Sequence, residues 1–482
     1  MEPGAGLSAA GRSVVVVGAG VAGLNAATAL ASAGVNVTVL ERRPFVGGRA
    51  CSYLHPALQE VVDSQHVLVG CCSNLIDFCN AAGLADKIRW YDRQIYLEPA
   101  TATSATRAST IAPGALPGPL HYAASFLNLS MLGAVDKLAV AQGLMGFATG
   151  APGRDDESAA QWYRRTRQTQ RAIQHLWEPL LLATLNDCAA NCSMKYAGKV
   201  FYELFLKNDT GGRLGIPTTP LSEFYEAGAN LIRANGGRVD LRSSVEQLTQ
   251  QPDGRWLLRS GEQSLIANDV ILALPFEQTQ KLITTMELPT NKAQARTQLL
   301  EKMQRFTHSP FISILLWYDR QIADLDHAWL LDSTIQWFFH KSRIRGYPTE
   351  HGSYVELVIA GSKTELPMAR EQILAPALDE LARFFPKVRS AQLIKSGILK
   401  EARATFSVTP GLDPCRPSQR TAWPGLYLAG DWTATDWPST MEGAARSGRL
   451  AAGELLGNRA QFLTPDLPPT GLSRWLSSGE SP

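Results

Sequence analysis

The chain has 482 residues, the length of roughly three domains of ~150 residues, and enough to bury a large core. Apolar residues make up 45% and charged residues 19%, and the net charge of +2 comes with no long basic run, which argues against a nucleic-acid footprint. Seven scattered cysteines with no CxxC pair give neither a disulfide framework nor a zinc site, and they point to buried thiols in a reducing compartment.

No stretch reads as a targeting or spanning segment. The N-terminal MEPGAGLSAAGRS is a short polar lead without an apolar core. The most apolar stretch, residues 122–147, is interrupted by Asp136 and Lys137 and falls short of the ~20 apolar residues a span requires. These features read as a soluble or peripheral protein.

In chain order, the first element is the β-branched run Ser13–Val17, a buried parallel strand. It runs into the glycine turn Gly18-Ala19-Gly20-Val21-Ala22-Gly23. A small-residue helix follows and ends at Gly34, and the strand Val35–Leu40 carries Glu41 at its tip, completing a β-α-β unit. Residues 100–220 are apolar and helical in tone, with a Pro/Gly hinge at Pro113–Leu120. From Gly236 the pattern reads strand, meander, strand, with turns at Asp253-Gly254 and Ser260-Gly261. Residues 300–395 alternate strand-like FISILLWYD and SYVELVIAG with a helical stretch. The strand Gly425–Trp432 contains Gly430-Asp431 and precedes a small-residue helix. This pattern divides the chain into cofactor-domain segments 11–75, 221–285 and 399–460, second-domain segments 76–220 and 286–398, and a disordered tail at 461–482.

The first glycine of the turn makes the bend, the second admits a pyrophosphate against the backbone, and the third lets helix and strand pack closely. The helix start then offers free amides to phosphate oxygens. Glu41 stands where a carboxylate accepts both ribose hydroxyls, which suits FAD or NAD rather than NADP. Arg42-Arg43 and Gly47-Gly48-Arg49 add a second close backbone approach with positive charge near the phosphates. Asp431 can meet a ribityl hydroxyl, and the helix starting near Met441-Glu442-Gly443-Ala444 can aim its dipole at the pyrimidine end of a flavin. Together these choose FAD.

The segments GAGVAGLNAA, ERRPFVGGRA, ANDVILALP and LAGDWTATDWPSTMEGAARSG resemble the FAD-dependent amine oxidase and carotenoid desaturase superfamily. The resemblance implies an α/β fold of the amine oxidase and glutathione reductase type. Its Rossmann-type FAD-binding domain comes in three segments, with an inserted mixed α+β substrate domain. The cofactor contacts it implies are Gly18, Ala19, Gly20, Gly23, Glu41, Arg42, Gly48, Arg49, Val245, Gly430, Asp431, Met441, Glu442 and Ala444. A narrower resemblance, to the hydroxysqualene dehydroxylase family of bacterial hopanoid pathways, rests on Val61–Leu75, Pro117–Tyr122, Met131–Phe147 and Leu176–Asn186. It implies that an allylic hydroxyl of hydroxysqualene is replaced by hydrogen to give squalene. Reduced flavin is a hydride donor, and the protein must add a proton, a cation-tolerant pocket and a dry cavity.

Asp63, Gln65 and His66 are the candidates for the polar end, with His66 the better acid near neutral pH and Asp63 able to orient it. The family often carries Asn-Gly where this chain has Asp63-Ser64, so Asp63 does not inherit the asparagine's part. Glu178 is read as a helix cap or a second acid. Trp432 and Trp437 are read as packing or lining, and Asp436 stands where a small residue is usual. The expected partners are a long-chain isoprenoid substrate, an external electron donor and a transient membrane contact through Leu116–Phe147, with no metal. The rival readings are a carotenoid-type desaturase or isomerase, an amine oxidase, and a non-catalytic lipid-binding escort of the same fold.

Overall fold

The computed structural model describes residues 11–150, 153–287 and 292–476. Among these, five strands form a parallel sheet in the order Arg238–Leu241, Asn36–Glu41, Ser13–Val17, Asp269–Leu272 and Leu426–Leu428. Val14 pairs with Val37 on one side and Asp269 on the other. The central strands are buried along their whole length, as expected of unbroken valine, isoleucine and leucine runs. Each strand comes from one of three distant stretches of chain, so the sheet closes only when the ends of the sequence meet.

Helix Val21–Ser32 lies on this sheet and packs against helix Met441–Leu455. The two backbones nearly touch, because a Cβ at Gly448 would lie 2.1 Å from the Ala22 carbonyl oxygen. The antiparallel meander Gln247–Gln250, Trp256–Ser260 and Gln263–Ala267 turns at Gly254 and Gly261, which have positive φ of 87° and 57°.

The second layer is a mixed seven-stranded sheet. Its order is Leu393–Phe406, His308–Tyr318, Ser353–Ala360, Trp337–Phe339, His327–Leu330, Gln94–Glu98, Arg107–Ile111. Helix Arg370–Phe384 covers one face through Ile373, Ala377 and Leu381, giving this layer its own core. The stretch expected to be helical is therefore not uniformly so. Arg107–Ile111 belongs to this sheet, and Leu214–Pro217 pairs with the upstream strand Ile88–Tyr91 in a smaller one. Helices between 123 and 206 cover the remaining side, two of them with π-helical turns at Ile173–Trp177 and Tyr202–Leu206.

The tail expected to be disordered is tied to the rest of the chain as far as Ser473. Asn74 and Thr464 exchange hydrogen bonds of 3.1 and 3.0 Å. Thr470 N–H donates to the Lys207 carbonyl at 2.9 Å, Leu472 N–H to the Gly118 carbonyl at 2.7 Å, and Ser473 is buried. Backbone pairing with two other segments holds this proline-rich stretch where composition suggested disorder. Residues 477–482 of that tail and residues 1–10 of the polar lead lie outside the described residues.

Gly448→Val is expected to push the two helices apart and destabilise the protein by at least about 3 kcal/mol, at the upper end of core overpacking. Denaturant unfolding would measure it, and an unchanged midpoint would contradict the close crossing.

Candidate cofactor and substrate site

The space between the two layers is a single cavity of about 690 Å³, polar at the parallel-sheet end and apolar against the seven-stranded sheet. At the polar end, Gly18 has φ 103°, and a Cβ on Gly23 would sit 1.9 Å from the Gly18 carbonyl oxygen, so the turn accepts only glycine there. Gly48, with φ 63°, comes so close to Gly20 that a Cβ would lie 2.9 Å from its Cα. The two glycine segments thus form one backbone cradle that side chains would fill.

Glu41 closes the cradle. It is buried, and its carboxylate accepts the amides of Ala19 and Arg43, each at 2.8 Å. The lone pairs left over face the cavity, where they can take hydroxyls. Arg42 and Val245 line the same end. Arg49 does not stand free for a phosphate: it donates to Asp431 at 2.6 Å, and the other Asp431 oxygen accepts Ser439 Oγ at 2.6 Å. Helix Met441–Leu455 begins at the cavity wall, with Thr440 Oγ accepting the Gly443 amide at 3.1 Å. The amides of Met441 and Glu442 in its first turn have no intrahelical acceptor. Ala444 and Gly430 also line this end.

The Glu442 side chain turns away from that role. It is fully buried and accepts the Asn74 side-chain amide at 3.0 Å and the Leu75 amide at 2.9 Å, capping helix Ser73–Ala81. Burial raises this carboxyl above the ordinary glutamate value, and the Leu75 amide pulls back only part of the shift.

The candidate polar end divides in two. Gln65 and His66 line the cavity, but Asp63 lies behind the wall. Asp63 is buried and bound by Lys341, by Arg345 at 2.8 Å through both oxygens, and by Ser52 Oγ at 2.9 Å. Burial alone would raise its carboxyl, yet Lys341 and Arg345 hold it well below the ordinary carboxylate range. Asp63 is therefore a fixed anion and neither donates a proton nor orients His66.

Lys341 also donates to Glu356 at 2.7 Å, and the other Glu356 oxygen accepts the Gln65 amide at 2.8 Å and Ser313 Oγ at 2.6 Å. Two buried acids and two buried bases thus tie the 63–66 loop to the seven-stranded sheet. In the sequence, Lys341, Arg345 and Glu356 resemble ordinary strand and surface residues, and only their burial reveals this function.

His66 Nδ1 lies 2.8 Å from the Ser64 carbonyl, which makes it the protonated nitrogen and leaves Nε2 as an acceptor. Burial pushes its pKa below the ordinary histidine value. At neutral pH His66 therefore offers a lone pair, contrary to the expectation of an acid. The Gln65 side chain donates to the His66 carbonyl at 2.8 Å and steadies the loop.

The apolar part of the cavity is walled by residues such as Leu180, Ala183, Phe311, Trp337, Phe339 and Val358. Trp329 and Trp337 have ring centroids 4.4 Å apart, and Trp337 meets Phe339 at 4.9 Å, so one wall is a continuous aromatic surface. Glu203 reaches this cavity as well; its sequence neighbourhood gave no signal, because the exposed-looking pair with Lys207 is the usual helical i,i+4 pattern.

Glu178 caps the 189 amide at 3.1 Å and does not reach the cavity. Trp437 lines it, whereas Trp432 is buried and donates to the Leu274 carbonyl at 2.9 Å. Asp436 has φ 59° and pairs with Lys195 and Lys199, which accounts for a charged residue in that loop. Among the described residues, no three His, Cys, Asp or Glu side chains lie close enough to hold a metal ion, and every cysteine is free.

The profile described as flavin containing amine oxidoreductase matches residues 21–456. Among curated proteins, the chain is 26% identical over 467 residues to the 15-cis-phytoene desaturase of Narcissus pseudonarcissus, covering 92% of this chain and 79% of that protein. It is 25% identical to the 15-cis-phytoene desaturase of Synechococcus elongatus, covering 93% and 97%. Among solved structures, an oxidoreductase from Methanosarcina mazei matches with a TM-score of 0.69 at 18% identity, covering 91% of this chain and 99% of that one. The cofactor is FAD, and the glycine cradle, Glu41 and the open helix start are the groups that would hold it.

Lys341→Met would leave Asp63 and Glu356 as buried anions without their shared cation, at a cost of about 3–5 kcal/mol. Adding Glu356→Gln, which leaves Asp63 paired with Arg345 and the cluster neutral, should return a large part of that loss in denaturant unfolding. An unchanged single variant would contradict the charge balance.

Proposed function

The chain belongs to the flavin-containing amine oxidoreductase family, and within it we propose, on the narrower sequence likeness, that the protein reductively dehydroxylates hydroxysqualene to squalene. The observation that carries the proposal is where the narrow sequence likeness falls. Val61–Leu75 contributes Gln65, His66, Val67 and Leu75 to the cavity, and Leu176–Asn186 contributes Leu180, Ala183 and Thr184. Two of the four segments that resemble the dehydroxylase family therefore line the cavity.

When bound and reduced, FAD supplies a hydride equivalent. The residues of the chain do the rest. The apolar wall excludes water and receives the hydrocarbon. His66 Nε2 accepts the substrate O–H and so orients the alcohol. The Trp329, Trp337 and Phe339 rings face developing positive charge with their π surfaces.

The other two segments of the narrow likeness form an exposed apolar surface. Val135, Leu138 and Met145 share one face of helix Ala134–Met145 at 72%, 71% and 68% exposure. Leu116, Leu120 and Leu127 continue it, and Leu472 and Trp475 join it through the Leu472–Gly118 hydrogen bond. No described helix is long and apolar enough to cross a membrane. The proposal seats this surface on the bilayer as an interfacial patch through which a membrane-dissolved substrate enters. The chain has one glycine-rich dinucleotide turn, so the proposed reductant is an external donor.

A second reading, carotenoid-type desaturation, is favoured by the phytoene desaturases among the curated relatives and by the acceptor nitrogen of His66, which suits proton removal. Anaerobic incubation of the dithionite-reduced holoprotein with hydroxysqualene in detergent separates the two. Squalene forming in step with flavin reoxidation is the expected result. No squalene from fully reduced protein, with phytoene-like polyenes bleaching the oxidised flavin instead, would replace the first reading by the second.

A further inference from the structure

Reductive loss of a hydroxyl requires a proton donor, and the two groups expected to supply it do not. Asp63 is locked as an anion behind the wall, and His66 holds its proton on the Ser64 carbonyl. The other carboxyls at the cavity are also committed or remote. Glu41 and Asp431 belong to the cofactor end, Glu442 caps a helix, and Glu246 and Glu401 are exposed at the rim.

Glu203 remains. It stands on the π-helical turn Tyr202–Leu206, a distortion frequent at functional sites. The turn places a carboxyl whose side chain is 5% exposed at the cavity, and both oxygens accept Lys207 Nζ, at 3.0 and 3.2 Å. The packed C-terminal segment fixes this turn from outside: Ser473 Oγ donates to the Leu206 carbonyl at 2.6 Å and Thr470 N–H to the Lys207 carbonyl at 2.9 Å.

Resting on the dehydroxylation reading, we propose that Glu203 is the general acid for departure of the substrate hydroxyl, with Lys207 holding the carboxylate left behind. The carboxyl O–H bond breaks and its proton joins the substrate oxygen. The C–O bond then breaks with its electron pair on oxygen and water leaves; a reduced flavin, when bound, would supply the hydride that completes the allylic carbon. Glu203, now a carboxylate, is reprotonated from solvent by way of Lys207, whose side chain is 13% exposed. Burial sets the Glu203 carboxyl above its ordinary value even with Lys207 and Lys199 opposing, and Asp466 adds to the rise. Cys71 and Glu442 are the other titratable groups of this part of the cavity, Cys71 feeling both acids and itself pushed up by Cys72 and burial.

The test uses holoprotein carrying Glu203→Gln, with two substrates: hydroxysqualene and its acetate ester, whose leaving group needs no proton. The variant should lose at least ~100-fold in squalene formation from the alcohol, within the range for general acid catalysis, and stay within about twofold of wild type on the ester. Flavin occupancy should be unchanged. For the alcohol, wild-type activity should fall as pH rises through the raised Glu203 pKa, and the variant should lack that limb. An infrared band of a protonated carboxyl should grow in wild type as pH falls into the range where the alcohol is turned over, and should be missing from the variant, independent of turnover. Equal rates on the alcohol, equal losses on both substrates, or no difference band would overturn the assignment. Wild type that makes no squalene from the alcohol would overturn the dehydroxylation reading and this assignment with it. Squalene formed from the alcohol at equal rates by wild type and variant would overturn only the assignment.

Discussion

Four buried charges hold the two halves of this molecule in register. Asp63 comes from the chain that leaves the glycine cradle, while Lys341, Arg345 and Glu356 come from the seven-stranded sheet and its following turn. Any one of them alone would carry a desolvation penalty of several kcal/mol. Together they are neutral and nearly saturated with hydrogen bonds, and they are satisfied only when cofactor layer and substrate layer are correctly spaced. The cavity exists because this spacing is set from behind its wall, and His66 faces the cavity because the Gln65 amide beside it is held by Glu356.

The cavity then divides by chemistry. Toward the parallel sheet the backbone itself is the ligand surface: glycines without side chains, a carboxylate anchored by two amides, and the open start of a helix. Toward the other sheet the wall is leucine, valine and aromatic rings, with few polar atoms. Hydride chemistry on a hydrocarbon suits such a division, since the charged cofactor tail stays in the polar half while the reacting carbon stays dry. Under the proposed function, the exposed apolar residues of 116–145 and 472–476 would extend the same logic outward, because a long hydrocarbon carrying a single hydroxyl needs a route that avoids water.

What the sequence made legible was local. The β-α-β unit, the glycine turn, the acid at the second strand tip and the Gly-Asp pair are all set by spacings of a few residues, and each stands where those spacings put it. The meander turns were legible because Gly254 and Gly261 occupy positions that need positive φ. What escaped was set by distant partners. Lys341 in HKSRIRG reads as a surface lysine, and only burial against Asp63 makes it an internal cation. Arg107–Ile111 is a short strand at the edge of a sheet most of whose members lie beyond residue 300, so the apolar tone of residues 100–220 read as helix there. The proline-rich segment after residue 461 looked unstructured, yet it is pinned by backbone bonds to residues 118 and 207. Asp63 and His66 were legible as a polar cluster, but their protonation states follow from neighbours the sequence does not place.

The central claim is that one cavity holds a flavin at its polar end and a long hydrocarbon at its apolar end. The most direct measurement is a crystal structure of the FAD-loaded protein soaked with squalene. The account predicts squalene along the wall of Leu180, Phe311, Trp337, Phe339 and Val358, with FAD in the glycine cradle. Squalene bound elsewhere, or the flavin ring lying across that wall, would contradict it.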